Sequence, residues 1–92
     1  MFVSAASIWE AAIKTSLGKL DLSPDLLASH VSTSGFTELP VSARHAVQLA
    51  SLPLLHRDPF DRLLIAQATY EGLRLMSVDA ELRQYGDIVV SV

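Results

Sequence analysis

The sequence predicts an α/β fold, a parallel sheet flanked by helices, and three observations carry that prediction. Helical stretches alternate with short strand-like runs along the whole chain. Two helices announce their starts with a capping residue followed by proline, Ser23-Pro24 and Asp58-Pro59. Gly18, Gly35 and Gly72 stand where three of the helical stretches should stop.

Taken in order, Phe2-Val3 reads as the tail of a strand and Ser4 as the cap of a helix over 5–17. A second helix runs from Pro24 to about Ser34. Phe36 to Val41 alternates apolar and polar residues as a half-buried strand does, with Pro40 marking a sheet edge or strand end. Ser42 caps a third helix carrying Ala43, Ala46, Val47 and Ala50, and 52–57 is a loop. Pro59 to Glu71 is the strongest helix. Leu73 to Val78 is a strand, Asp79 caps a short helix to Tyr85, and Ile88 to Val92 is a last strand.

The chain has 92 residues, half of them hydrophobic, and a mean hydropathy of +0.35. That length allows one domain at most. The apolar residues come in short runs such as 63–66 and 88–90, far below the roughly 20 needed to span a bilayer. Met1 is followed by neither a basic region nor a long apolar core, so no signal peptide is expected. The apolar surplus must be buried in the fold or against a partner. No cysteine is present, which excludes disulfides and thiolate metal sites and fits a cytoplasmic location. A net charge of −3 argues against a domain that binds nucleic acid by bulk electrostatics, although Arg57, Arg62 and Arg74 could form a local basic patch or merely solvated surface.

Three acids stand out by position. Glu10 interrupts the apolar stripe of Ala6, Ile13 and Leu17, where a charge needs a partner or an ion. Its structural explanation is a carboxylate at the stripe's edge, bridged to a lysine or arginine. Asp61 shares a helical face with Ile65 and Ala68, and acids are favoured in a first helical turn whatever their function. Asp79 follows directly on a strand, at the kind of carboxyl end where α/β sheets bind ligands, and could equally be a cap. Together the three suggest a site for a hard cation, since Mg²⁺ and Mn²⁺ take carboxylate oxygens and keep several waters. Such an ion equips a protein for phosphodiester hydrolysis. From spacing alone, three acids do not single out a site.

Asp58 reads as a helix cap. His30, His45 and His56 show no ligand spacing and read as surface or helix-end residues. Trp9, beside Ile8 and Ile13, reads as a core or interface anchor. No Gly-rich phosphate loop and no nucleophile-elbow serine is present.

Longer stretches carry a resemblance. Phe2-Val3-Ser4-Ala5-Ala6-Ser7-Ile8-Trp9-Glu10, with Ala12-Ile13-Lys14 and Leu17-Gly18-Lys19-Leu20, resembles the segment around the second acid of VapC-type PIN-domain ribonucleases. His56-Arg57-Asp58-Pro59-Phe60-Asp61-Arg62-Leu63-Leu64-Ile65-Ala66-Gln67-Ala68 is similar to the signature around the third. Ser77-Val78-Asp79-Ala80-Glu81-Leu82 is similar to the segment carrying the fourth. The central signature is specific, and the order and separations agree throughout the chain.

The resemblance implies that Glu10, Asp61 and Asp79 are the catalytic and metal-site acids, with Asp58 a cap or outer neighbour. It implies an Mg²⁺- or Mn²⁺-dependent endoribonuclease acting on RNA, the toxin of a type II toxin–antitoxin pair. A cognate antitoxin and homodimerisation or other self-association are implied with it, and no membrane. Family members begin with a strand bearing the first acid, central in the sheet between the strand at Val3 and that at 73–78. The expectation for residues 1–92 is therefore a single, partial PIN domain, PIN-like but lacking that N-terminal central strand. Its loss leaves exposed edges, which the chain could close by direct pairing, by borrowing an element from another copy, or with a separate chain. The alternatives to an active nuclease are a catalytically incomplete PIN remnant acting only by binding an antitoxin or another PIN chain, and an unrelated α/β interaction module.

Overall fold

The computed structural model describes residues 1–21, 23–77 and 79–91, in two compact units, Met1–Val41 and Ser42–Val92. In the first unit, strand β1 (Phe2–Ser4) leads into helix α1 (Ala5–Ser16), followed by α2 (Pro24–Thr33) and strand β2 (Thr37–Leu39). The strands pair in parallel, Phe2 opposite Thr37 and Ser4 opposite Leu39. Parallel strands require a long crossover, here supplied by the two helices. Met1 extends the ladder, its carbonyl accepting the Thr37 N–H at 3.0 Å.

Local chemistry sets these boundaries. The Ser4 hydroxyl accepts from the Ala6 N–H and that of Ser23 from Leu26, so both expected caps are present. β2 is shorter than its alternating pattern suggested, because Pro40 has no N–H to continue a ladder. Ala6 and Val31 are buried, whereas Trp9 is 58 % exposed. Trp9 therefore does not anchor the core.

In the second unit, α3 (Ala43–Ala50) packs against α4 (Pro59–Glu71), and strands β3 (Leu75–Ser77) and β4 (Val89–Ser91) flank a 3₁₀ helix, Ala80–Tyr85. β3 and β4 pair in parallel, Leu75 opposite Val89. The core is made by Ile65, Ala66, Ala68 and Leu82, together with the side chains of His45 and Gln67. Four consecutive buried residues, 65–68, show that the middle of α4 is enclosed on all sides. α4 starts at Asp58, whose Oδ1 accepts from Phe60 and Asp61 N–H groups at 2.8 and 3.4 Å. It ends at Gly72, where φ is +69°. That left-handed turn lets the Leu73 N–H reach the Ala68 carbonyl at 2.8 Å.

Helices and parallel strands occur as expected, but among the described residues the strands form two separate pairs, β1-β2 and β3-β4. Among the described residues β1 and β3 each have one strand neighbour. The short helix expected after Asp79 is a 3₁₀ helix and ends at Tyr85 as expected. The expected strand ends at Val78 and Val92 lie outside the described residues. Among the described residues, no helix is long and apolar enough to cross a membrane.

Candidate metal centre

Three segments of the second unit bring ionisable side chains to one place. The first is the loop at 52–57, which carries His56. Its start is tied down by the Tyr85 hydroxyl, which donates to the Pro53 carbonyl at 3.1 Å. The second is the first turn of α4, where Asp61 sits because the Asp58-Pro59 cap begins the helix three residues earlier. The third follows β3. There the Asp79 N–H donates to Ser77 Oγ at 3.0 Å, and Asp79 Oδ1 accepts from the Glu81 N–H at 2.9 Å. That capping bond leaves Asp79 Oδ2 free to face His56.

All three segments converge on one atom. His56 Nε2 lies 3.3 Å from Glu81 Oε2, 3.5 Å from Asp79 Oδ2 and 3.8 Å from Asp61 Oδ2. One possible ligand atom from each of His56, Asp79 and Glu81 lies within 4.8 Å of the others. The His56 side chain is only 11 % exposed, and exposure rises from Asp61 (24 %) through Asp79 (41 %) to Glu81 (74 %). The cluster thus has a buried floor and an open rim. Carboxylates gathered this closely repel one another, and a divalent cation relieves that repulsion. Their oxygens are the donors a hard cation prefers, so the residues present could hold a divalent metal ion.

The three acids singled out in the sequence have different surroundings. Asp61 and Asp79 each approach His56 Nε2, but the group whose ligand atoms all lie within 4.8 Å of one another is His56, Asp79 and Glu81, without Asp61. Glu10 belongs to the first unit, on α1, where its carboxylate is half-buried and lies 3.7 Å from Lys14 Nζ one turn on. That is the structural explanation foreseen for it. Asp58 is a cap, also as foreseen.

Sequence reasoning missed His56 and Glu81. His56 is not a surface histidine, because the ring stands in the middle of the acids and is nearly enclosed. The available signal was its place two residues before the Asp58 cap, which puts it on the doorstep of the helix bearing Asp61. Glu81 stands two residues after the Asp79 cap, where a tight turn returns a side chain toward the cap. His45 is likewise not at the surface: it is 1 % exposed.

A family model described as PIN domain matches residues 1–88, which includes residues of both units and every acid discussed above. Nothing among curated proteins or solved structures matches the chain. With a match over nearly its whole length, the chain belongs to the PIN-domain family, a family of nuclease type.

Proposed function

We propose that this chain is a VapC-type endoribonuclease that hydrolyses RNA phosphodiester bonds at an acidic Mg²⁺ or Mn²⁺ site built on Asp61 and Asp79, with Glu10 as the third acid. The observation that carries the reading is the approach of Asp61 and Asp79, from separate elements, to within 4 Å of one nitrogen, in a chain of nuclease-type family.

Within that reading, the chain's own residues divide the work. Asp61 and Asp79 hold the cation, and Glu81 at the rim adds a third oxygen donor in the same unit. A cation bound there supplies Lewis acidity toward a phosphodiester and makes a bound water more acidic. Exposed Arg57 follows His56 in the chain and carries a positive charge of the kind that pairs with a phosphate. The Glu10–Lys14 pair does not withdraw Glu10, because an i,i+4 helix pair contributes only about 0.3–0.5 kcal/mol.

The partners proposed with this reading are an RNA substrate, a cognate antitoxin and a second copy of the chain, in the cytoplasm. Trp9, Val47 and Leu54 are 58, 63 and 76 % exposed, large apolar side chains of the kind that a protein partner covers. Those residues also favour a second reading, a PIN chain that acts only by binding such partners.

Incubation of the chain with structured RNA and Mn²⁺ separates the two. The nuclease reading expects cleavage that stops on chelation and falls about tenfold or more in Asp61→Asn. Cleavage indifferent to Asp61→Asn would count against it. Mn²⁺ binding without any cleavage would favour the binding-only chain.

A further inference from the structure

The cluster contains three carboxylates and one imidazole, and the ring's other nitrogen fixes what that imidazole can do. His56 Nδ1 accepts the Asp58 N–H at 3.1 Å. An accepting Nδ1 carries a lone pair and no proton, so the ring's single proton resides on Nε2. Nε2 is the atom that faces Asp61, Asp79 and Glu81, and it meets them with an N–H rather than a lone pair. A metal bond at Nε2 would require the ring to give up the Asp58 N–H, and that same backbone segment opens α4 with its Asp58 cap.

We propose that His56 is a positioning residue that gathers the Asp61, Asp79 and Glu81 carboxylates with its Nε2–H, and that it is not a metal ligand. The cation is then held by oxygen alone. The inference rests on the nuclease reading for its metal, but the tautomer stands on geometry by itself. One N–H cannot serve three carboxylates at once. It lies nearest Glu81, with the Asp79 and Asp61 oxygens farther off at 3.5 and 3.8 Å. His56 thereby does for the acids what outer hydrogen-bond donors do for ligands in metal sites generally, where their removal weakens metal binding about 10–100-fold.

Two measurements on the full chain test this. The first is nitrogen NMR of the His56 ring in metal-free protein, assigned by its loss in His56→Gln. The proposal expects an Nε2-protonated, Nδ1-unprotonated pattern, and the opposite tautomer overturns it. The second is Mn²⁺ electron-spin-echo spectroscopy on ¹⁵N-histidine-labelled chain, with Mn²⁺ titrations of wild type, His56→Gln and His56→Phe. The expectation is no directly coordinated ¹⁵N and near-wild-type affinity in His56→Gln, whose amide places an N–H near the Nε2 position. His56→Phe should bind about 10–100-fold more weakly. A coupled nitrogen that disappears in His56→Gln, or a His56→Phe chain that binds like wild type, overturns the proposal. Should His56→Phe fail to fold, the tautomer and the wild-type spin-echo spectrum still decide. Wild-type chain that binds no Mn²⁺ yet keeps the Nε2–H tautomer overturns the nuclease reading and supports the donor role of His56.

Discussion

His45 Nε2 lies 2.7 Å from Glu71 Oε1, while the same ring's Nδ1 accepts the Ser42 N–H at 3.0 Å. This reproduces in the core of the second unit what His56 does at its site, with a backbone N–H on Nδ1 and a carboxylate on Nε2. Ser42 and His45 bracket the first turn of α3, and Glu71 closes α4. One enclosed ring therefore ties the start of one helix to the end of the other, and Gln67 Nε2 stands 3.4 Å from the same Nδ1.

His45→Ala should consequently be among the more damaging substitutions outside the apolar core. It removes the ring that accepts the Ser42 N–H and meets Glu71 Oε1, and it empties a fully buried position, at a cost of about 1–3 kcal/mol. Glu71→Gln keeps an oxygen to accept from Nε2–H and should cost under about 1.5 kcal/mol. Urea unfolding of both variants checks the order. A larger loss in Glu71→Gln than in His45→Ala would contradict it.

Asp58 serves as a cap through Oδ1, which predicts that chain stability depends on its acceptor oxygen rather than its charge. Asp58→Asn should unfold within a few tenths of a kcal/mol of wild type, and Asp58→Ala about 1 kcal/mol earlier. Equal losses in the two variants, read by thermal or urea unfolding, would assign Asp58 an electrostatic role instead.

Gly72 sits at φ +69° with nothing within 4 Å of an added Cβ. Gly72→Ala should therefore destabilise only through backbone conformation, by about 1–2 kcal/mol. A much greater loss in unfolding experiments would mean that α4 ends against something its Cβ would strike.

Glu10→Gln separates structural from functional roles on α1. The Lys14 pair contributes so little that stability should move by less than about 0.5 kcal/mol. Mn²⁺-dependent RNA cleavage should fall about tenfold or more if Glu10 is the third acid. Unchanged cleavage with unchanged stability would confine Glu10 to its lysine.

The residues that were legible in the sequence are those whose signals are local. Ser4, Ser23, Asp58 and Asp79 cap where they stand because a cap needs only the next two or three N–H groups. Gly72 ends α4 because only its own φ is at stake. Strand partners were less legible. Whether β1 pairs with β2 or with another strand depends on groups more than 30 residues apart, and Phe2-Val3-Ser4 carries no mark of Thr37-Glu38-Leu39. The site divides the same way. Asp61 and Asp79 betrayed themselves by helix position and strand end, and the resemblance strengthened both. His56 lies in a loop with no periodicity to read, and its role follows from a Tyr85–Pro53 bond and a ring orientation that only the folded chain reveals.

Whether Asp61 and Asp79 grip one cation is decided by calorimetric titration of Mn²⁺ into wild type, Asp61→Asn and Asp79→Asn. One Mn²⁺ per chain is predicted for wild type, with each substitution weakening binding about tenfold or more. A wild-type chain that takes up no Mn²⁺, or two variants that bind it as tightly as wild type, would contradict the claim.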